Sequence, residues 1–243
     1  IAHRGASAYF PENTLPAFNA AIDMKADMIE LDVQLSKDNE IVVFHDERLN
    51  DKTNTTGLVR DFNYRDLKQL DAGSWFDAKF KDERIPLLSE VLALTKNRIL
   101  VNIEIKTESV DEKAKSGITQ LVLDLVKELR IENEIIISSF DYRVLSRINK
   151  SESKVKRALL YNKELSLGKN PSQIVSQYSV DAFNCSATEL NPNWISNLNK
   201  ENIPFFIYTV NEPQTMRKLL ENGARGIFSD KPDVLIDVLN SNS

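Results

Sequence analysis

The chain has 243 residues, a formal net charge of −5 and a single cysteine, Cys185. That length fits one large α/β domain or two small ones, with enough residues for a sizeable core. The acidic balance argues against a nucleic-acid-binding protein, and one cysteine excludes an intrachain disulfide. The sequence has no run of about 18 apolar residues, which argues against a transmembrane segment.

Short apolar runs alternate with amphipathic stretches along the whole chain. The runs typical of strands occupy residues 1–3, 28–35 with a second piece at 40–44, 99–105, 134–138, 156–160, 182–184, 204–208 and 226–228. Helical spacing of apolar residues predicts helices at residues 14–25, 89–96, 112–130, 142–149, 171–178, 192–199, 213–222 and 232–239.

This alternation gives eight strand–helix units when the two pieces around Lys37 are counted as one strand. Alternating strands and helices predict a parallel sheet, and eight units in this length favour an α/β fold of the (β/α)₈ TIM-barrel type. The sequence has neither GxGxxG nor a Walker lysine motif, which removes the usual support for an open doubly wound sheet. We therefore expect residues 1–243 to form a single domain.

One connection is much longer than the others. About 40 residues, 46–86, separate the end of the second strand from its helix, and loops of this length usually have a role. A short helix is predicted at residues 64–70. In a barrel this connection would leave a strand's carboxyl end, so we expect an insertion over the active-site mouth. An excursion with a small core of its own is the alternative.

Polar residues gather on three of the predicted strands. Glu30 and Asp32 are two residues apart, as are Glu104 and Lys106, so each pair shares one face of its strand. His3 and Arg4 end the first strand, and His45 ends the continuation of the second. Because strand ends meet at one rim of a barrel, these groups are expected to lie together.

Such a cluster suggests metal-assisted chemistry on an anionic substrate. Three carboxylates repel one another unless a cation lies among them, and oxygen ligands favour Mg²⁺ or Ca²⁺. Two histidines beside them could act as general acid and base near neutral pH. Arg4 and Lys106 could hold the anionic oxygens of a ligand, although internal salt bridges without a metal are an alternative.

Three further residues are weaker candidates. Glu12 lies near the predicted mouth and could be a partner of a histidine or of Arg4, or could simply belong to the start of the first helix. Phe183 and Tyr208 lie on later strands and could line a pocket, although aromatic residues at strand ends more often serve packing.

With these residues in place, the chain resembles the glycerophosphodiester phosphodiesterase family, within the phospholipase C-like phosphodiesterases. The matching segments are HRG at 3–5, PENT at 11–14, ELDV at 30–33, HD at 45–46, EIK at 104–106, YTVN at 208–211 and GIFSDKPD at 226–233. They cover essentially the whole chain, and their order is more specific than any one of them. Tyr208 stands where many relatives carry tryptophan, which keeps the aromatic character of the motif.

The resemblance implies a TIM barrel that hydrolyses glycerophosphodiesters to sn-glycerol 3-phosphate and an alcohol. It implies one divalent cation, Mg²⁺ or Ca²⁺, on Glu30, Asp32 and Glu104, with phosphate held by Arg4 and Lys106. His3 and His45 would be general acid and base. A substrate hydroxyl, rather than water, would attack phosphorus first and give a cyclic phosphate that is then opened.

Two other functions are compatible with the same residues. One is a phospholipase D-like activity on lysophospholipids, and the other is a non-catalytic barrel that binds polyol phosphates. Pure binding needs no acid–base pair, which argues against the second. The sequence begins inside a predicted strand without an initiator methionine, which suggests lost or processed upstream residues. Cytoplasmic and exported locations are both compatible with it.

Overall fold

A computed structural model describes residues 1–110 and 117–241 as an α/β fold built on one curled sheet. Its eight named strands lie in the spatial order β2-β1-β3-β4-β5-β6-β7-β8, and all neighbouring pairs are parallel except β1 and β2. The strands are β1 Met28–Leu35, β2 Ile41–Val43, β3 Leu100–Ile105, β4 Ile135–Ser139, β5 Lys156–Leu160, β6 Ala182–Ser186, β7 Phe205–Tyr208 and β8 Gly226–Ile227.

Helices follow most strands, as the alternating pattern predicts. They are α1 Leu15–Asp23, α2 Tyr64–Leu67, α3 Leu88–Thr95, α4 Ile118–Leu129, α5 Tyr142–Lys150, α6 Lys163–Ser166, α7 Pro171–Tyr178, α8 Pro192–Lys200, α9 Pro213–Glu221 and α10 Pro232–Asn240. The start of the helix predicted at 112–130 lies outside the described residues. Within the part of the chain that the structure describes, no helix has the length and apolar character needed to cross a bilayer.

The period of two along β1 separates core from polar residues. Ile29, Leu31 and Val33 are fully buried in the hydrophobic cluster shared with α1, α3 and α4. Glu30 and Asp32 alternate with them and point to the other face of the sheet. The ladder to β3 sets Asp32 opposite Glu104. The prediction that these carboxylates share one face is therefore confirmed by the register.

The first residues of the chain join the two ends of the parallel run of strands. Ala2 forms parallel bridges with Ile29 on one side and Ser229 on the other. Its backbone N–H donates to Met28 and its carbonyl accepts from Glu30, while the N–H of His3 donates to Ser229. These hydrogen bonds bring residues from both ends of the sequence together at one place in the sheet.

The second strand piece runs in a direction that the sequence pattern did not indicate. The pattern predicts that β2 continues β1 after the turn at 37–39, but β2 pairs with β1 antiparallel, with Val43 opposite Val33. The chain therefore turns back on itself. The N–H of Phe44 donates to the carbonyl of Asp32, and so His45 returns to the level of the carboxylates.

Residues 46–86, here called the connecting segment, pack around a small hydrophobic cluster that they share with Val42 and Phe44. Leu49, Val59, Leu67 and Ile85 are fully or almost fully buried there. Its regular structure is limited to α2 and two short 3₁₀ turns, and α2 ends three residues before the predicted helix end. An aromatic contact between Phe80 and Phe10, with ring centroids 5.6 Å apart, fastens this segment to the residues that follow the first strand.

Candidate active site

Three carboxylates form the centre of the site. Glu30 and Asp32 of β1 and Glu104 of β3 each offer an oxygen, and these oxygens all lie within 4.8 Å of one another. Glu30 and Asp32 are almost completely buried, and 13% of the Glu104 side chain is exposed. Three acidic groups that are this close and this well shielded from water repel one another unless cations offset their negative charge.

The electrostatics of the cluster are uneven. Burial and the neighbouring carboxylates raise the pKa of Glu30 well above its ordinary value, and burial and Asp32 raise the pKa of Glu104. Burial also acts against the charged form of Asp32, but Lys106 and Arg4 outweigh it and hold the pKa of Asp32 low. The protein's own cations thus compensate Asp32 and leave Glu30 and Glu104 short of positive charge.

Lys106 approaches the cluster from the end of β3. Its ammonium donates to Glu104 at 3.1 Å and lies 3.5 Å from an oxygen of Asp32. Burial alone would lower the pKa of Lys106, but the two carboxylates raise it, so the side chain stays charged. Only 13% of the side chain is exposed, and the lysine lines the cavity described below.

Arg4 enters from the opposite side through a tight turn. Its backbone is left-handed, with φ 55°, and its N–H donates to Glu30 at 2.8 Å. Gly5 follows with φ 84°, and a Cβ there would lie 2.6 Å from the carbonyl carbon of Ala17. Only glycine fits where the turn approaches α1 this closely, which explains the glycine in the HRG segment.

The Arg4 guanidinium is held by two carboxylates. Nη1 donates to Glu12 at 3.0 Å, and Nε lies 3.4 Å from Asp32 without forming a hydrogen bond. These charges keep Arg4 protonated: burial acts to lower its pKa, but Asp32 and Glu12 raise it. The alternative of internal salt bridging is therefore partly realised for Arg4 and Lys106, although Glu30 receives only a backbone N–H from Arg4.

Each histidine of the site has an aspartate partner. Nδ1 of His3 lies 2.7 Å from Oδ1 of Asp230, and Nδ1 of His45 lies 2.6 Å from Oδ1 of Asp46. An Nδ1–H that donates to a carboxylate leaves Nε2 as the ring nitrogen that can exchange a proton. Both rings are partly exposed, at 19% and 30%, and both line the same cavity.

Asp230 is the more firmly held of the two aspartates. Besides His3, it accepts hydrogen bonds from the Ser7 hydroxyl at 3.0 Å and the Asn211 amide at 2.7 Å. Burial acts to raise its pKa, but the hydrogen bonds from His3, Asn211 and Ser7 lower it to about 2. Asp230 is therefore ionised throughout the neutral range and can orient His3.

Three partners in this site were missed at the level of sequence. Asp46, Asp230 and Asn13 all occur within the matched segments, at 45–46, 226–233 and 11–14, but the motifs alone do not indicate their contacts. The amide of Asn13 donates to Asp32 at 3.0 Å and accepts from the Asp32 backbone N–H at 3.2 Å. In a closed sheet the last strand lies beside the strand predicted at residues 1–3. A carboxylate shortly after the last strand, such as Asp230, was therefore a signal for a partner of His3.

A cavity of about 210 Å³ opens among these groups. Its lining comprises His3, Arg4, Glu30, His45, Asn102, Glu104, Lys106, Ser138, Phe140, Leu160, Tyr208, Thr209 and Phe228. Tyr208 faces it as expected, and burial raises the pKa of Tyr208 so that the phenol stays neutral. Phe183 does not line it: the side chain is fully buried, with its ring centroid 5.6 Å from that of Trp194 on α8, so of the two roles considered for it the structure favours packing.

The strength of the Asp230 contacts leads to a stability prediction. We expect Asp230→Asn to lower the free energy of unfolding near pH 7 by about 2 kcal/mol, since the folded-state pKa is about 2 and the ordinary value is 3.8. Because the folded pKa is the lower one, this contribution is present above the ordinary value and disappears as the pH falls through about 2. Denaturant unfolding of both proteins across this range measures the difference.

Asp233→Asn is the matched control for that experiment. Its carboxylate lies near Asp230 in sequence and accepts a hydrogen bond from the Tyr9 hydroxyl at 3.0 Å, but it contacts no histidine in the structure described. A loss that stays constant from neutral to strongly acidic pH in Asp230→Asn would contradict the assignment.

Comparison with known proteins gives the class of this fold and site. The sequence profile of the glycerophosphoryl diester phosphodiesterase family matches residues 3–234. The YhdW protein of Bacillus subtilis strain 168 is 39% identical over 97% of this chain and 96% of its own length. A glycerophosphodiester phosphodiesterase of Caldanaerobacter subterraneus subsp. tengcongensis is 38% identical over 98% of this chain and 96% of its own.

A solved structure agrees with these relatives. A phosphodiesterase of Oleispira antarctica, in complex with the product sn-glycerol-3-phosphate, superposes with a TM-score of 0.90 and 25% identity over 98% of this chain and 95% of its own. Fold and site are thus those of a phosphoric diester hydrolase. The chain belongs to the glycerophosphoryl diester phosphodiesterase family, as the sequence motifs predicted.

Proposed function

We propose that this enzyme hydrolyses glycerophosphodiesters to sn-glycerol 3-phosphate and an alcohol with the help of one divalent cation. The observation that carries the proposal is that one cavity is lined by both histidines, by Arg4 and Lys106, and by Glu30 and Glu104 of the carboxylate cluster. Its volume of about 210 Å³ suits a small polar diester. The product complex of the Oleispira antarctica relative supports the same choice of substrate.

Glu30, Asp32 and Glu104 would hold the cation. Their chemistry fits, because an all-oxygen donor set of three close carboxylates is what Mg²⁺ and Ca²⁺ accept. The raised pKa values of Glu30 and Glu104 support this assignment, since a divalent charge would relieve the repulsion that raises them. When bound there, the cation would act as a Lewis acid that offsets negative charge on the phosphoryl oxygens.

Arg4 and Lys106 would bind the phosphodiester itself. Both line the cavity, and both retain their charge because carboxylates surround them. Glu12 fixes the guanidinium through Nη1, which leaves the other amino group of Arg4 for the substrate. Arginine and lysine thus supply positive charge from opposite sides of the carboxylate cluster.

His3 and His45 would move the protons. One imidazole Nε2 removes a proton from the attacking hydroxyl, of water or of the substrate's glycerol, as its oxygen bonds to phosphorus. The other imidazolium gives a proton to the alcohol oxygen as its bond to phosphorus breaks, so protons and charge balance over the two rings. If the glycerol hydroxyl attacks first, the resulting cyclic phosphate is opened by water with the two roles exchanged.

We also propose a closed (β/α)₈ barrel whose insertion, residues 46–86, forms one wall of the mouth. The bridges of Ala2 to Ile29 and Ser229 support closure of the sheet. The ion pair between Lys52 and Glu12 supports the position of the connecting segment beside the cavity.

The decisive experiment is release of sn-glycerol 3-phosphate from a panel of glycerophosphodiesters, with and without added Mg²⁺ or Ca²⁺. Glycerophosphocholine and glycerophosphoethanolamine should be cleaved, and lysophosphatidylcholine should not. Cleavage of the lysophospholipid alone would instead favour the phospholipase D-like activity. Tight binding of sn-glycerol 3-phosphate without turnover of any diester would favour the non-catalytic barrel.

A further inference from the structure

A row of contacts leads from the connecting segment to Arg4. The ammonium of Lys52 lies 3.5 Å from the centre of the Trp75 ring and 3.4 Å from Oε2 of Glu12. The other oxygen of Glu12 accepts the hydrogen bond from Arg4 Nη1 at 3.0 Å. Glu12 therefore divides its two oxygens between a cation of the connecting segment and a cation of the cavity.

Lys52 differs from an ordinary surface lysine. Only 24% of its side chain is exposed, and the aromatic face and the carboxylate confine the ammonium from two sides. The ring face and the carboxylate both attract the ammonium, and these interactions are stronger for a partly desolvated cation than for one fully exposed to water. Trp75 is itself fixed, since its indole N–H donates to the Ala72 carbonyl at 2.8 Å.

The charge of Lys52 affects what Arg4 can offer a substrate. Arg4, Glu12 and Lys52 together carry one net positive charge, whereas Arg4 and Glu12 without the lysine would carry none. Opposite charges a few ångströms apart in a partly desolvated site interact appreciably. Without Lys52, the second oxygen of Glu12 would also be free to turn towards Arg4 or towards a bound phosphodiester. In the second case the carboxylate would repel the negatively charged substrate.

We propose that Lys52 and Trp75 are positioning residues that keep Glu12 turned away from the substrate, and thereby leave Arg4 oriented and electropositive for the phosphodiester. This inference rests on the proposed role of Arg4 in binding the substrate. It assigns the connecting segment a part in substrate affinity, acting through Glu12 and not by direct contact with the reacting atoms.

The same segment offers a matched control. Lys79 also lies over an aromatic ring, 4.9 Å from the centre of Phe80, and also pairs with a carboxylate, Asp77, at 3.6 Å. Its side chain is 64% exposed and its partner belongs to the connecting segment, not to the site. Lys79→Met thus removes the same kind of contact without touching Glu12 or Arg4.

The test measures KM, kcat and the dissociation constant of sn-glycerol 3-phosphate in fixed divalent-cation concentration. Lys52→Met is expected to raise KM and the dissociation constant about tenfold and to change kcat less than about threefold. This is the pattern for losing an interaction that is equally strong in the substrate complex and in the transition state. Lys52→Arg should restore most of the affinity, and Lys79→Met should match the wild type. Thermal unfolding of each variant checks that the fold is retained.

A second variant separates this mechanism from general destabilisation. In a Glu12→Gln background, Lys52→Met should cause no further loss of affinity, because the lysine acts through that carboxylate. Additive losses, an unchanged KM in Lys52→Met, or an equal loss in Lys79→Met would each overturn the inference. If instead the wild type binds no sn-glycerol 3-phosphate, or Arg4→Met binds it as well as the wild type, the proposed function of the site fails.

Discussion

Removal of divalent cations with a chelator is expected to abolish turnover of glycerophosphodiesters, and Mg²⁺ or Ca²⁺ should restore it. The reason is the cluster of Glu30, Asp32 and Glu104, whose oxygens lie within 4.8 Å of one another. Without a cation, the charge that develops on the phosphoryl oxygens would face three carboxylates. Full activity of the metal-free protein would contradict the assignment.

The same cluster should affect stability in a way that does not depend on activity. The pKa of Glu30 is raised in the folded protein, so its ionisation opposes folding as the pH rises above the ordinary value. Glu30→Gln should therefore be more stable than the wild type at neutral pH without metal, and this advantage should shrink in acid. Differential scanning calorimetry at both pH values measures it.

Added cation should reverse that order. Binding to the folded state alone raises the melting temperature of the wild type, and Glu30→Gln should lose most of this rise because one ligand is missing. Glu12→Gln, a site carboxylate outside the cluster, is the matched control and should keep the rise. An equal response of wild type and Glu30→Gln would exclude Glu30 as a ligand.

His3→Ala and His45→Ala are each expected to lower kcat by about 10² or more, the usual scale for losing general acid–base catalysis. Each imidazole has an aspartate on Nδ1, so alanine removes the proton-transferring nitrogen and leaves that carboxylate without its partner. Binding of sn-glycerol 3-phosphate by each variant checks that the cavity is intact. A near-normal rate in either variant would exclude that residue from the chemistry.

A substrate with a better leaving group distinguishes the two roles. The p-nitrophenyl ester of glycerol 3-phosphate needs little protonation of its departing oxygen. The variant without the general acid should therefore recover most of its rate on this ester, while the variant without the general base should stay slow. Equal recovery in both variants would mean that neither histidine acts as a dedicated acid.

Much of this site could be predicted from the sequence because it depends on local periodicity. The spacing of Glu30 and Asp32 fixes a shared face through the geometry of one strand, and the buried Ile29, Leu31 and Val33 identify the opposite one. The same rule accounts for Phe183, which alternates with Asn184 along β6 and packs its ring against Trp194.

Contacts that depend on chain reversal or on distant residues could not be predicted in this way. The antiparallel direction of β2 follows from the turn at 37–39, not from the apolar pattern. The side-chain amide of Gln34 then holds the reversed chain in place, because it donates to the carbonyls of Phe44 and Asp46. The contact of Lys52 with Glu12 joins residues 40 positions apart, and no periodicity encodes it.

The pairing of His3 with Asp230 spans 227 positions, nearly the whole polypeptide. On the proposed mechanism, a nascent chain that already contains Glu30, Asp32 and Glu104 would still lack the carboxylate that orients the His3 imidazole. A partly synthesised or partly unfolded molecule would then be inactive, because Asp230 follows the last strand in the sequence. Turnover in this enzyme should consequently report completion of the entire sheet, and nicked or truncated forms should lose activity before they lose the ability to bind a cation.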